Sequence, residues 1–140
     1  GVTPSVAHVL EAMDEERIAV AAALGIRAMS AREWLYMAYD AAGKTLFEAM
    51  RNNHGYKGIN APSLVDHRYL WEDVSMSLVP IASLGNYLQV ATPTISNIIH
   101  LASLMNQTDY LGAGRTIEKM GLAGLSVAEI RRLALEGDSR

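Results

Sequence analysis

The chain has 140 residues, is 50% hydrophobic and 19% charged, and carries a formal net charge of −3 from 12 basic and 15 acidic side chains. That length fits one domain with an ordinary core, while so small a charged fraction leads us to expect apolar surface covered by a partner or a second copy. The acidic balance without a basic stripe excludes nucleic acid, the lack of cysteine excludes disulfides and thiolate chemistry, and no apolar run reaches the roughly 18 to 20 residues that cross a membrane.

No basic stretch followed by an apolar one opens the chain, so a cytoplasmic setting is expected. It starts at Gly1 rather than Met, which points to part of a longer protein. Thr3-Pro4 is a helix start, with threonine as cap and proline at the first helical position. The helix is expected to run to about Leu24 and end on Gly25. Val6, Leu10, Met13, Val20 and Leu24 recur at helical spacing with Arg17 on the same face, and Asp14, Glu15 and Glu16 read as a polar flank. Ser30-Ala31-Arg32-Glu33 is a capping box that opens a second helix, to about Ala42. Gly43 interrupts it, and helical character resumes over 44–53 with Leu46, Phe47 and Met50 on one side, which reads either as one broken helix or as two. Residues 52–58, Asn-Asn-His-Gly-Tyr-Lys-Gly, carry turn chemistry.

Residues 76–87 are almost wholly apolar and predict a helix buried all round, with Pro80 in its first turn and Gly85 at a close contact. Thr92-Pro93 repeats the earlier start signal. Ile95, Ile98, Ile99, Leu101, Ala102 and Met105 then mark a second buried helix to about Asn106, in which His100 is expected to be partly buried. Residues 110–114 read as a connector, 116–120 as a short helix closing on Gly121, and Ser126-Val127-Ala128-Glu129 as a second capping box opening a last helix to Glu136 or Gly137. No stretch keeps the alternation of a half-buried strand, so the fold class is all-α.

Most sites that chemistry would need do not assemble in this pattern. Gly112-Ala113-Gly114 lacks both the GxGxxG spacing and a strand before it, and reads as a loop, so no cofactor-binding residue is assigned within the chain. His8, His54, His67 and His100 are scattered and form no HExxH pattern, so no metal is expected. Lys44 reads as a solvated lysine and the seven methionines as core filler.

Residues 60–74 differ, concentrating charge and aromatics where helical periodicity fails. Arg68 can hold a carboxylate through two parallel hydrogen bonds. Asp73 can orient a histidine that exchanges a proton, and Tyr69 and Trp71 can shape a pocket. The plainer alternative is that Arg68 and Glu72 form an ordinary i, i+4 pair worth a few tenths of a kcal/mol, with Asp66 or Asp73 as a cap. Spacing alone leaves both open.

At these residues the chain resembles the C-terminal α-helical domain of the octopine/nopaline (opine) dehydrogenase family. The resemblance rests on an ordered set: Gly43-Lys44-Thr45-Leu46-Phe47-Glu48-Ala49, the run 53–62 (Asn-His-Gly-Tyr-Lys-Gly-Ile-Asn-Ala-Pro), His67-Arg68-Tyr69-Leu70 with Glu72-Asp73-Val74, Leu78-Val79-Pro80, Ala91-Thr92-Pro93, and Gly114-Arg115-Thr116 with Met120-Gly121-Leu122. It covers about Thr3 to Gly137. It implies that residues 1–140 are the helical substrate domain of an enzyme that reductively condenses an amino acid with an α-keto acid, taking a hydride from NAD or NADP in its reduced form. It further implies that Arg68, with Tyr69 beside it, binds the keto-acid carboxylate and that Asp73 is catalytic, paired with a histidine. In the family that histidine lies upstream of the position matching Gly1, so none of the four histidines here inherits the role. The N-terminal Rossmann domain that grips the dinucleotide is also absent from this chain, which alone should be inactive. A second reading is a non-catalytic helical domain that dimerises or binds a protein through 76–87 and 92–106.

Overall fold

A computed structural model describes residues 2–137, and all regular structure in them is helical. The spine is α1 (Pro4–Ala23), capped by the Thr3 hydroxyl and closed by Leu24 and Gly25, the latter at φ 70°. Against it pack α2 (Ala31–Tyr39) and α3 (Leu46–Asn52), then a 3₁₀ turn (His54–Tyr56). A long helical run follows, made of α4 (Arg68–Asp73), a π-helical turn (Val74–Leu78) and α5 (Val79–Tyr87). The chain finishes with α6 (Pro93–Asn106), the four-residue α7 (Tyr110–Ala113) and α8 (Val127–Glu136).

Two hydrophobic clusters hold these helices, and α1 joins both. Val79, Ile95, Ile99 and Tyr110 lead one, against which Met13 packs; Leu35, Leu46 and Ala49 lead the other, against which Leu10 packs. The buried residues of α1 are Ala7 and Val20, whereas Val6 is half exposed, so the seam runs one residue over from the larger apolar side chain.

The acidic residues of α1 are the main surprise of the packing. Instead of forming only a solvated flank, they reach the first turns of three other helices. Glu11 Oε1 accepts the Leu46 N–H of α3 at 2.9 Å, and Asp14 Oδ2 accepts the Ala31 N–H of α2 at 2.7 Å. Both carboxylate oxygens of Glu16 accept from α6, one from Thr94 N–H at 2.7 Å and one from Ile95 N–H at 2.9 Å. Free N–H groups and the positive end of the helix dipole make a helix start the natural place for a carboxylate. Thr92 accordingly contributes no side-chain cap to α6.

Several expected boundaries move. The helix opened by Ser30 ends at Tyr39, because Asp40 turns left-handed at φ 54°, and α3 is a separate helix capped by Thr45. Gly43 sits where a Cβ would come within 2.3 Å of the Ala49 backbone nitrogen, so it lets the connector pass close over α3. The short helix lies at 110–113, and 116–120 is a turn. Neither apolar helix is buried all round. In α6, Ile95, Ile99 and Ala102 face the core while Leu101, Leu104, Met105 and His100 are exposed. Among the described residues, no helix is long and apolar enough to cross a membrane.

Candidate functional site

Residues 59–67 have no regular structure and, apart from half-buried His67, are exposed. The chain re-enters helix at His67, whose Nδ1 accepts the Tyr69 N–H at 3.2 Å. Histidine is thus the cap, and neither Asp66 nor Asp73 plays that part. The His67 and Tyr69 rings meet edge to face with centroids 4.6 Å apart, which orients a tyrosine that is 60% exposed.

Arg68, Tyr69 and Asp73 are brought together on α4, all exposed. Arg68 Nε lies 2.8 Å from Glu72 Oε2, the i, i+4 pair, with both side chains largely in solvent at 69% and 49% exposure. Tyr69 and Asp73 are themselves i, i+4 and share a helix face. Trp71, expected beside them, instead helps line a separate cavity with Val65, Asp66, Met105, Gln107 and Tyr110.

Beyond Asp73 the helix widens by one residue. Val79 N–H bonds the Val74 carbonyl, five residues back, and in that register the next bond, from position 80 to the Ser75 carbonyl, has no donor because position 80 is proline. The Ser75 carbonyl accepts the Arg115 N–H at 3.0 Å instead. Gly114 permits this approach, since a Cβ there would stand 2.7 Å from both the Ser75 carbonyl oxygen and Val79 Cγ1. Pro80 is thus in the first turn of α5, as expected, while the run it belongs to is continuous back to Arg68; a proline within a helical pattern is the sequence signal that could have located the π turn.

Two cavities lie next to this region. One, of about 280 Å³, is lined by Met13, Trp34, Leu35, Tyr56, Leu78 and Ile81 among others. Its charged members are already engaged: Arg17 donates to Asp14 Oδ1 at 3.0 and 2.6 Å and to the Met29 carbonyl at 2.6 Å. The other, of about 380 Å³, is lined by Arg51, Asn53, His54 and Lys57 and shares Met50 and Tyr56 with the first.

The glycines of the 112–114 stretch are taken up by packing. Gly112 belongs to α7, where a Cβ would strike the Asp109 carboxylate, and Gly114 is occupied against the π turn. Among the described residues neither glycine follows a strand, as the fingerprint loop of a dinucleotide fold does.

The family model described as NAD/NADP octopine/nopaline dehydrogenase, alpha-helical domain, matches residues 1–106. An opine dehydrogenase of Arthrobacter sp. (strain 1C) is 43% identical over 131 residues, which are 94% of this chain and 36% of that protein. The protein named ocs of Agrobacterium vitis is 29% identical over 90% of this chain and 35% of its own length. A vitopine synthase of Allorhizobium ampelinum is 26% identical over 86% and 34%, respectively. The chain spans about a third of the length of these relatives.

Proposed function

The chain belongs to the NAD/NADP octopine/nopaline dehydrogenase family, as its α-helical domain, and from that premise we propose that it is the substrate domain of an enzyme condensing an amino acid with an α-keto acid. The amine and the keto carbonyl lose water to form an imine, and the reduced dinucleotide, NAD or NADP, held outside the described residues, supplies the hydride that turns the imine into a secondary amine. Arg68 binds the keto-acid carboxylate through its guanidinium fork, with Tyr69 as the adjoining wall. Asp73 orients, and favours the protonated form of, a histidine contributed from outside these residues.

The observation that carries this reading is the state of Arg68. Its partner Glu72 is nearly half exposed, and a pair so open to solvent is worth at most about 1 kcal/mol. A substrate carboxylate entering a less hydrated site can displace it with two charge-assisted hydrogen bonds. In the full-length enzyme, Arg68→Ala is expected to raise KM for the keto acid roughly tenfold or more, since hydrogen bonds to charged groups contribute about 1.5 to 3 kcal/mol. An unchanged KM would remove the clamp assignment.

The exposed apolar face of α6 at Leu101, Leu104 and Met105 supports a second reading, in which the domain self-associates or binds a protein partner without catalysis. Sedimentation of the 140-residue chain separates the two: a stable dimer, together with no NAD(P)H oxidation by the full-length protein, would favour association alone.

A further inference from the structure

We propose that His67 is a positioning residue for the keto-acid clamp: its neutral imidazole holds the first turn of α4 in the shape that presents Arg68 and Tyr69, and its protonation releases that turn. This rests on the proposed role of Arg68 as the carboxylate clamp.

The start of α4 differs from the other helix starts. Thr3, Ser30, Thr45 and Ser126 cap α1, α2, α3 and α8 with hydroxyls, while Asp109 caps α7 and Glu16 caps α6 with carboxylates. As residue types, hydroxyls carry no charge and carboxylates keep theirs between about pH 5 and 8, the range in which histidine changes charge. α4 is capped by an imidazole, although Asp66, of a preferred capping type, stands one residue before it. Among the described residues, the one helix cap of a type that titrates near neutrality is thus placed on the helix that carries Arg68, Tyr69 and Asp73.

The cap works only when the ring is neutral. Nδ1 accepts the Tyr69 N–H at 3.2 Å, so the single ring proton sits on Nε2. A second proton would turn Nδ1 into a donor facing a donor, and would put a positive charge at the positive end of the helix, next to the Arg68 guanidinium. No neighbour is placed to take the cap over. The charged or titratable groups of the same segment are Asp66, Arg68 and Tyr69, with Glu72 taken by Arg68. Among the described residues no carboxylate is in ion-pair contact with the ring. The π turn on which α4 packs has no titratable side chain, and the wall across the cavity from Asp66 and Trp71 has only Tyr110. The first turn of α4 holds no acidic residue that could serve as a second cap.

α4 has only six residues before the π turn, so its first turn is a large part of it. Arg68 and Tyr69 are exposed there, and the Tyr69 ring leans on His67 with centroids 4.6 Å apart. Once the turn frays, the Arg68 guanidinium loses the fixed direction that two parallel hydrogen bonds to one carboxylate require. Protonation of His67 therefore weakens keto-acid binding even though it adds a positive charge, the opposite sign to simple electrostatic attraction. Asp73, at the far end of α4, runs directly into the anchored π turn and keeps its place.

The test is the KM of the full-length enzyme for pyruvate from about pH 5.5 to 8.5, compared among the native protein, His67→Asn and His67→Phe. Asparagine caps a helix without titrating, and phenylalanine keeps a ring against Tyr69 without an acceptor. The ratio of native KM to that of His67→Asn, in which every other titration cancels, should rise roughly fivefold toward acid, while the ratio of kcat stays level. His67→Phe should hold KM about fivefold above that of His67→Asn at every pH; should it fail to fold, the other two profiles still decide. Hydrogen exchange of residues 67–73 should be faster in the native enzyme than in His67→Asn at the acid end and equal at the alkaline end. A KM ratio that is flat or falls toward acid would overturn the positioning role, and if Arg68→Ala still raises KM, the clamp stands without it. An unchanged KM in Arg68→Ala would overturn the clamp, and the positioning of it as well.

Discussion

The helical run from Arg68 to Tyr87 has two unlike ends. At its start Arg68, Tyr69, Trp71, Glu72 and Asp73 are all exposed, whereas past the π turn Val79, Ala82 and Gly85 are buried in the core. One continuous backbone thus carries a polar, open segment on an anchored one. The buried end supplies rigidity; the exposed end contributes little to stability and is free to hold chemically useful groups, as functional residues on a rigid scaffold generally are. The π turn between them sets the rotation at which Asp73 is presented, and such turns are frequent beside functional sites.

The sharpest way to break this contrast is Asp73→Asn. On the proposed role of Asp73 as the partner of a catalytic histidine, the change should lower kcat of the full-length enzyme about 10²- to 10⁴-fold, while the thermal midpoint hardly moves. A drop in midpoint comparable to that of a core variant would show that the exposed end is structural after all. Gly114→Ala tests the joint. Its Cβ would press on Ser75 and Val79, and overpacking of this kind costs about 1 to 3 kcal/mol. Urea melts should show that loss, and KM for the keto acid should rise as well, because the turn that aims α4 is displaced.

Glu16→Ala probes the scaffold far from the site. It removes both acceptors at the start of α6 and should cost about 1 to 2 kcal/mol, as lost helix caps do, with catalysis per folded molecule unchanged. The smallest effect is one of pH. Glu33 is held below the ordinary glutamate value by the backbone and side-chain hydrogen bonds of Ser30, and Glu129 by the side-chain and backbone hydrogen bonds of Ser126. A depressed carboxyl pKa stabilises the fold above the unfolded-state value, near 4.5, and that contribution is lost as pH falls through the lowered value. The starts of α2 and α8 should therefore fray in acid, seen as a fall in thermal midpoint below about pH 4.5 that Glu33→Gln with Glu129→Gln flattens.

Legibility followed range along the chain. Thr3-Pro4, the boxes at Ser30 and Ser126 and the stop at Gly25 involve partners within a few residues, and each lies where the pattern puts it. The candidate site was legible as residue types, Arg68, Tyr69 and Asp73, and as one stretch of chain. Its cap, His67, and the separation of Trp71 into another cavity were not, because helix rotation through the π turn decides which side chains share a space. The cavity lined by Arg51, His54 and Lys57 was hidden in what read as a turn, since these three converge only once the chain bends around Asn53.

The sequence by itself determined an all-α chain with its main helix starts and the polar groups of α4, because those depend on local capping, periodicity and side-chain type. Only the tertiary structure decided that Glu11, Asp14 and Glu16 leave the surface of α1 to cap helices 17 to 79 residues away, and that the apolar faces of α5 and α6 are half covered. A free helix N-terminus accepts any carboxylate within reach, and reach is set by packing, which no window of sequence contains.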